Sequence, residues 1–401
     1  MFVNINDKEI KCVDLDCASY VCAQCESENV DISINENYIV KSVRPLHLNI
    51  DAVNKFSVNV GSKVIIEFEN RLPLFVFTYE KKSINPSDYT YYFENGEFEF
   101  DEIRLKSNEK LYIGSNAVLH THIVAQNAEN IEICGSGVLD LVGISVKKRR
   151  MAKFLNCKNV SIKDITMVGA IDWTLVPINC ENIAIDRINI ITWEVNGDGI
   201  DIVASKNVNI SNCFLHCADD CIAVKATDYD SKYGCNNCEN INVKSSIFWN
   251  TKPGNAMEIG FETRCESIKN VSFIDCDVLH CMFEGWQSGG VFTIHNGDRA
   301  VVSDILYKDI RIENAEQKLF DFKVYLSHYS KDKDRGFVKN ITAENIRYYG
   351  EILPPSILRG CDNEHGIKNV KIKGLYHNDK KINNMLQAHF ITESGSELIF
   401  E

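Results

Sequence analysis

Three aspartates stand out in this sequence because of their spacing. Asp198 lies in the segment NGDGIDI, and Asp219 and Asp220 form an adjacent pair 21 and 22 residues later, in ADDCIAVK. If this separation is one turn of a stacked β-structure, strands about 4.8 Å apart bring Asp198 directly over the pair. Three carboxyl groups that close cannot all ionise freely, so we expect one of them to have a raised pKa and to keep its proton near neutral pH. A protonated acid beside ionised carboxylates is what glycoside hydrolysis requires.

A structural role for these residues is the competing interpretation. Asp side chains are common at turns, where they bond local backbone groups, and Asp198 or Asp201 alone would be assigned to that class. The adjacent pair stacked on a third carboxylate is harder to explain in this way, because it costs electrostatic energy and Lys225 is the nearby cation. For Asp219 and Asp220 to face one cleft, the backbone must bend there, because neighbours on a regular strand face opposite sides.

An internal repeat predicts the stacked structure that would position these residues. Its unit is an Asn followed by alternating apolar and polar residues and a second short strand, and it recurs about every 23 to 36 residues. This alternation is typical of strands that bury one face, and Asn tolerates the left-handed backbone of a coil corner. We therefore predict an all-β fold built on a right-handed parallel β-helix, with a β-sandwich or a propeller as alternatives. The repeats begin at Asn130, Asn159, Asn182, Asn207, Asn240, Asn270, Asn340 and Asn369, with a degenerate copy from Val301.

The N-terminal quarter of the chain has a different pattern. Residues 1–100 lack the Asn repeat and contain longer alternating stretches. We predict an N-terminal β-sandwich domain over 1–100 and a β-helix catalytic domain over 101–401. An open coil end exposes core and unpaired strand edges, so we expect the sandwich to cap the N-terminal end of the helix.

Charge and hydropathy narrow the possible partners. The 401-residue chain has a formal net charge of −13, which offers no positive field for nucleic acids or anionic lipids. No segment has the length of a membrane span, and the N-terminus lacks the apolar core of a signal peptide. We expect a cytoplasmic protein that binds an oligosaccharide or polysaccharide and neither nucleic acid nor membrane. Its oligomeric state is left open.

Cysteines raise the question of a metal site. The 16 cysteines are spread over a chain too long to need disulfides for stability. Cys22 and Cys25 form one CxxC pair, and Cys235 and Cys238 form another, but the two pairs fall in different predicted domains. We therefore predict reduced cysteines, no metal site and no cofactor.

The two acidic segments resemble the signature motifs of glycoside hydrolase family 28, the polygalacturonases. In that family an Asn-Thr-Asp-Gly motif precedes an Asp-Asp pair at this spacing. Glycoside hydrolase family 49, which contains dextranase and isopullulanase, has a similar trio of aspartates and an N-terminal β-sandwich. The resemblance implies an inverting enzyme in which Asp219 is the general acid, and Asp198 and Asp220 hold and activate water. Asn196, in the first motif, is implied as a substrate-binding residue.

Two departures from the polygalacturonase pattern concern the substrate. The chain has GNAMEIG where polygalacturonases have Gly-His-Gly, which puts Asn255 at the histidine position and Ala256 at the second glycine. Phe292, Thr293 and Ile294 stand where that family has an Arg-Ile-Lys triplet that binds the uronate carboxylate. Because the chain resembles these families but lacks the triplet that binds a uronate, the resemblance favours a neutral sugar as the substrate, of an α-linked glucan type.

Further residues are candidates for substrate binding. Glu258, Glu262 and Arg264 fall one predicted coil beyond the aspartates and could bond sugar hydroxyls. His295 is a further candidate, Lys225 could influence the acid pair, and tryptophans could stack on sugar rings. Core packing explains any single tryptophan equally well. The tryptophans in question are Trp193, Trp249 and Trp286.

Three functional hypotheses follow from these observations. The first is an inverting glycoside hydrolase acting on a neutral α-linked glycan. The second keeps the reaction but makes pectin-derived oligosaccharides the substrate, with Arg264 as the replacement cation. The third is a carbohydrate-binding β-helix without catalysis. Polysaccharide lyases also use this fold, but no Arg or Lys base stands out near the motifs.

Overall fold

The computed structural model describes residues 1–48, 50, 52–144, 150–228, 235–251, 253–282 and 289–401. This part of the chain is almost entirely β-structure, with two short 3-10 helices, Leu46–Leu48 and Pro86–Asp88. No helix within these ranges has the length and apolar character needed to cross a membrane.

The first nine strands form a β-sandwich. They are β1 Phe2–Ile5, β2 Lys8–Lys11, β3 Val13–Asp14, β4 Ser19–Cys25, β5 Asn29–Ile34, β6 Val40–Arg44, β7 Lys55–Asn59, β8 Lys63–Phe68 and β9 Leu74–Glu80. One sheet has the order β2-β1-β5-β7 and the other β3-β4-β9-β8-β6. Alternation sends apolar side chains of both sheets inward, where Val3, Ile32, Val64 and Val76 belong to one buried cluster.

The sandwich lies along the flank of the helix, so the prediction that it caps the N-terminal end was wrong. The outer face of its second sheet contributes Phe75 and Phe77 to a buried cluster with Phe214 and Trp249, which come from successive helix coils. Large apolar side chains on both faces of this sheet require a second covered surface, and the side of the helix supplies it.

The remaining strands form the parallel β-helix. They are β10 Tyr91–Leu105, β11 Lys110–Gln126, β12 Glu129–Gly135, β13 Val138–Asp140, β14 Ala152–Leu155, β15 Lys158–Lys163, β16 Thr166–Val168, β17 Leu175–Ile178, β18 Glu181–Asp186, β19 Asn189–Ile191, β20 Ile200–Val203, β21 Lys206–Ser211, β22 Phe214–Cys217, β23 Ile222–Ala226, β24 Cys238–Lys244, β25 Ile247–Asn250, β26 Met257–Thr263, β27 Ser267–Ile274, β28 Asp277–Cys281, β29 Phe292–Asn296, β30 Val301–Ile312, β31 Phe320–Val324, β32 Phe337–Tyr348, β33 Ser356–Arg359, β34 Ile367–His377, β35 Lys380–Ile382, β36 Phe390–Glu393 and β37 Ser396–Phe400.

The strands stack in three columns, and one column carries the acidic motifs. Strand β11 starts all three columns by pairing with β12, β13 and β14. The third column runs β14-β17-β20-β23-β26-β29-β31-β33-β36, with parallel pairing at each step. We call it the site column. The right-handed parallel β-helix predicted from the repeat is confirmed. It already begins at Tyr91, about ten residues before the predicted boundary, because β10 pairs in parallel with β11.

The repeated asparagines form a ladder along one corner of the helix. Asn159 donates a side-chain hydrogen bond to Asn130 at 2.9 Å, and Asn182 donates to Asn159 at 3.1 Å. Each of the three has a positive φ, between 54° and 60°. Asp304 takes the asparagine position in the degenerate copy and accepts a hydrogen bond from Asn340 at 3.0 Å. The repeat period therefore reports the coil length directly.

Candidate active site

Asp198 and Asp220 occupy equivalent places on neighbouring coils of the site column, and Asp219 directly precedes Asp220. Asp198 precedes β20 by two residues, and Asp220 precedes β23 by two residues. The backbone N–H of Gly199 donates to the carbonyl of Asp220 at 2.8 Å, which joins the two coils at this point. One ligand oxygen from each of Asp198, Asp219 and Asp220 lies within 4.8 Å of the others. The stacking expected from the sequence spacing is therefore present.

A bend between β22 and β23 lets adjacent aspartates face one cleft. The chain leaves the strand conformation at Ala218 and Asp219, and the backbone N–H of Asp220 donates to Oδ1 of Asp219 at 3.0 Å. Gly254 lies against this bend with φ +108°, and a Cβ there would come within 2.6 Å of the Cα of Asp219. The close approach requires glycine at this position.

The acidic cluster is buried, and it includes a fourth carboxylate, Asp201. Burial raises the pKa of Asp198, with repulsion from Asp201 and Asp219 adding to the effect. Burial also raises the pKa of Asp219 and of Asp220. Asp219 is the more exposed member of the trio, whereas Asp198 and Asp220 are 3% and 5% exposed. Asp219 is therefore the member of the trio that a bound molecule can reach most readily.

Lys225 supplies positive charge at the floor of the cluster. Its Nζ lies 2.8 Å from Asp201 and 3.5 Å from Asp198. Burial alone would lower the pKa of Lys225, but these two carboxylates outweigh burial and raise it. The buried ammonium therefore stays charged and offsets part of the repulsion in the acidic cluster.

Asn255 holds Asp220 from the next coil. Its backbone N–H and its side-chain amide both donate to Oδ1 of Asp220, each at 2.8 Å. Its own Oδ1 accepts from the backbone N–H of Gly290 at 3.0 Å. Asn255 therefore holds the carboxylate of Asp220 in position, and Gly290 on the following coil orients Asn255 itself.

Trp173 was missed by the sequence analysis, although its position held a signal. It precedes β17 by two residues, as Asp198 precedes β20, so it occupies the same place one coil earlier. The Nζ of Lys225 lies 4.1 Å from its ring centroid, and the Cζ of Arg150 lies 4.7 Å from it. Alignment of the repeats at this position would have identified Trp173 as a cleft residue.

The cavity at the acidic cluster has a volume of about 150 Å³. The acidic trio, Lys225, Asn255 and Glu262 line it together with Asn196, Trp173, Phe261 and Tyr329. A larger groove of about 390 Å³ lies between the sandwich and the helix, but it does not contain the acidic trio. The chemistry therefore belongs to the smaller cavity.

Glu258 and His295 do not line this cavity, contrary to their assignment as substrate-binding residues. Both are fully buried and paired, with His295 Nδ1 2.9 Å from Glu258 and Nε2 3.3 Å from Asp321. The ring of Phe261 stacks on His295 with centroids 4.5 Å apart. His295 therefore lies beneath this aromatic ring. Glu258 and His295 occupy adjacent coils, where their opposite charges attract.

Three other candidates, Arg264, Trp193 and Trp249, are also directed elsewhere. Arg264 is paired with Asp228 and Thr227 outside the cavity lining. Trp193 packs against the cluster between the sandwich and the helix, and Trp249 is part of it. These side chains support the domain contact or a neighbouring loop and do not face the acids. Trp286 lies outside the described residues.

Alternation along β29 determines which of its residues face out of the helix. Phe292 and Ile294 point into the helix core, so alternation places Thr293 and His295 on the outer face. Of the three residues compared with the Arg-Ile-Lys triplet, Thr293 alone therefore faces outward. Burial alone would lower the pKa of His295, but Glu258 and Asp321 outweigh it and raise the pKa to about 9. One of the two outward residues is thus a cation.

Comparison with known proteins agrees with this architecture. The profile of Glycosyl hydrolases family 28 matches residues 101–391. A polygalacturonase from Juniperus ashei is 27% identical over 224 residues, which cover 55% of this chain and 41% of that protein. An exopolygalacturonase from Platanus acerifolia is 24% identical over 238 residues, covering 55% of this chain and 59% of that protein. The matched region is thus roughly half the length of these relatives.

Solved structures show the same fold. The exopolygalacturonase from Thermotoga maritima aligns with a TM-score of 0.60 and 16% identity, over 77% of this chain and 82% of that one. A family 28 exopolygalacturonase from Yersinia enterocolitica aligns with a TM-score of 0.53 and 12% identity, over 86% of both chains. Because the family profile spans most of the β-helix, the chain belongs to glycosyl hydrolase family 28.

Proposed function

We propose that this protein hydrolyses α-linked galacturonate oligosaccharides derived from pectin, by direct displacement with water. The observation that carries the proposal is the acidic trio, with ligand oxygens within 4.8 Å, in a cavity on the site column of a family 28 β-helix. The named relatives are polygalacturonases, which favours this substrate over the glucan predicted from the missing Arg-Ile-Lys triplet.

The geometry supports separate roles for the three aspartates. Asp219 donates its proton to the glycosidic oxygen as the bond from that oxygen to the anomeric carbon breaks. A water held by Asp198 and Asp220 attacks the anomeric carbon, and one of these two carboxylates takes the proton that the water loses. Asn255 positions Asp220, and Asn196 donates its backbone N–H to Asp219. Lys225 offsets the negative charge during the reaction.

This mechanism predicts inversion at the anomeric carbon. Inverting enzymes commonly separate acid and base by about 6.5–9.5 Å, whereas nearest oxygens here lie within 4.8 Å. A single displacement requires the water to attack the face of the sugar opposite the glycosidic oxygen, so Asp198 and Asp220 must hold it there while Asp219 faces the leaving oxygen. The anomer of the first product, followed by NMR, tests this step, and a retained anomer would contradict it.

The substrate is tested by release of reducing ends from trigalacturonide, dextran and pullulan. Turnover of trigalacturonide that is lost in Asp219→Asn and kept in Asp379→Asn supports the proposal, because Asp379 is an exposed aspartate far from the cavity. Turnover of dextran or pullulan without turnover of trigalacturonide would overturn the proposal that the substrate is a galacturonate oligosaccharide. Binding of trigalacturonide in calorimetry without turnover would overturn catalysis and favour a binding module.

A further inference from the structure

We propose that Trp173 closes one end of the cleft, so that the enzyme attacks chain ends and releases monosaccharide. This inference rests on the proposed function and adds to it the mode of attack. It begins from the position of Trp173, which lies on the coil directly before Asp198: the N–H of Thr174 donates to the carbonyl of Asp198 at 3.0 Å.

Cations from coils before and after Trp173 hold its indole. Arg150 belongs to the coil before Trp173, and Lys225 belongs to the second coil after it. Both cations lie over the ring, at 4.7 Å and 4.1 Å from its centroid. Among the described residues that line the cavity, Trp173 comes from the earliest coil of the site column. A substrate chain running along the site column would therefore meet this ring as a wall.

The space left beside the wall is small. The cavity of about 150 Å³ is below the roughly 300–1,000 Å³ of pockets that enclose drug-sized ligands. Trp173 lines it from the earliest coil, and Phe261 and Tyr329, whose ring centroids lie 5.5 Å apart, line it from later parts of the chain. This space fits one pyranose ring and not a run of them.

The distance from the wall to the acids determines the product. Trp173 and Asp198 are on adjacent coils, which are about 4.8 Å apart, and Asp219 lies on the coil after Asp198. A sugar that places its glycosidic oxygen beside Asp219 therefore has its far edge against the indole. The next sugar cannot extend past the ring, so the cleaved bond is the first from a chain end.

The experiment follows the products of hexagalacturonide labelled at its reducing end. With the wild-type enzyme we expect galacturonate as nearly all of the product from the first time points. In Trp173→Ala we expect the galacturonate fraction to fall below half, with di- and trigalacturonide appearing. Trp173→Phe keeps a ring at the wall and is expected to restore release of monosaccharide. Trp173→Leu provides the open variant if Trp173→Ala does not fold.

The outcomes separate the two proposals. Di- and longer products from the wild-type enzyme at early times would overturn the role of Trp173 but keep the proposed function. An unchanged product pattern in a folded, active Trp173→Ala would also overturn the role of Trp173. Failure of the wild-type enzyme to cleave any oligogalacturonide would overturn the proposed function and, with it, the inference.

Discussion

Asn255 directs two donors, its backbone N–H and its side-chain amide, at a single oxygen of Asp220, each at 2.8 Å. Burial and the neighbouring Asp219 raise the pKa of Asp220, and these two hydrogen bonds oppose the rise. Because hydrogen bonds to a carboxylate favour its ionised form, Asn255 helps to keep Asp220 able to accept a proton from water.

Asn255→Ala is expected to shift the pH dependence of hydrolysis. Loss of the side-chain donor raises the pKa of Asp220, so the acidic limb of the pH–rate profile should move to higher pH. A hydrogen bond to a charged group contributes roughly 1.5–3 kcal/mol, so activity on the acidic side should fall by at least about tenfold. Asn242→Ala is the matched control, because Asn242 loses an amide contact on the exposed face of β24. A profile unchanged in shape would contradict the role of Asn255.

The buried pair of Glu258 and His295 is expected to make stability pH-dependent. The pKa of His295 is raised to about 9 from 6.5. Its contribution is therefore complete below pH 6.5 and is lost as pH rises through about 9, with a slope of up to about 1.4 kcal/mol per pH unit. Urea unfolding between pH 6 and pH 9.5 measures this loss.

His295→Gln removes the titrating group, so it should abolish the decrease in the free energy of unfolding between pH 6 and pH 9.5. At pH 6 the variant should be less stable by about 3 kcal/mol, because it leaves Glu258 buried without its partner. The double variant Glu258→Gln with His295→Gln should recover part of the loss, since no buried charge is then left unpaired. A wild-type stability that stays constant across this pH range would contradict the prediction.

Asn159→Ala is expected to destabilise the helix by breaking the corner ladder. The substitution removes hydrogen bonds to Asn130 and from Asn182 and places Ala at φ +54°. Hydrogen-bond loss and the left-handed backbone each cost about 1 kcal/mol or more. Asn159→Gly keeps the backbone conformation accessible, so it should cost less than Asn159→Ala. Thermal unfolding measures both, and equal losses would show that the backbone conformation contributes nothing.

Chelation is expected to leave hydrolysis unchanged. The oxygens of Asp198, Asp219 and Asp220 are close enough to ligate a cation, but the ammonium of Lys225 already lies 3.5 Å from Asp198. This positive charge disfavours a second cation beside it. Activity measured after EDTA treatment and dialysis should equal that of the untreated enzyme. Loss of activity that returns with Mg²⁺ or Ca²⁺ would instead assign the three aspartates to a metal site.

The repeat and its alternation determined much of this protein. They predicted the parallel β-helix, the asparagine corner and the stacking of Asp198 on Asp219 and Asp220. These features follow from periods of two residues and of one coil, which are local properties of the chain. The same periodicity places Trp173 one coil before Asp198. The site was located in the sequence from the aspartates alone, and this position was not used.

Only the tertiary structure decided which outward residues are open to substrate. Glu258 and His295 face outward as their strands predict, but the ring of Phe261 stacks on His295, and opposite charges pair His295 with Glu258. The sandwich lies along the flank because Phe75 and Phe77 meet helix side chains that are distant in sequence. Alternation assigns a side chain to a face of the sheet. What covers that face depends on contacts between residues far apart in the chain, and no local pattern records them.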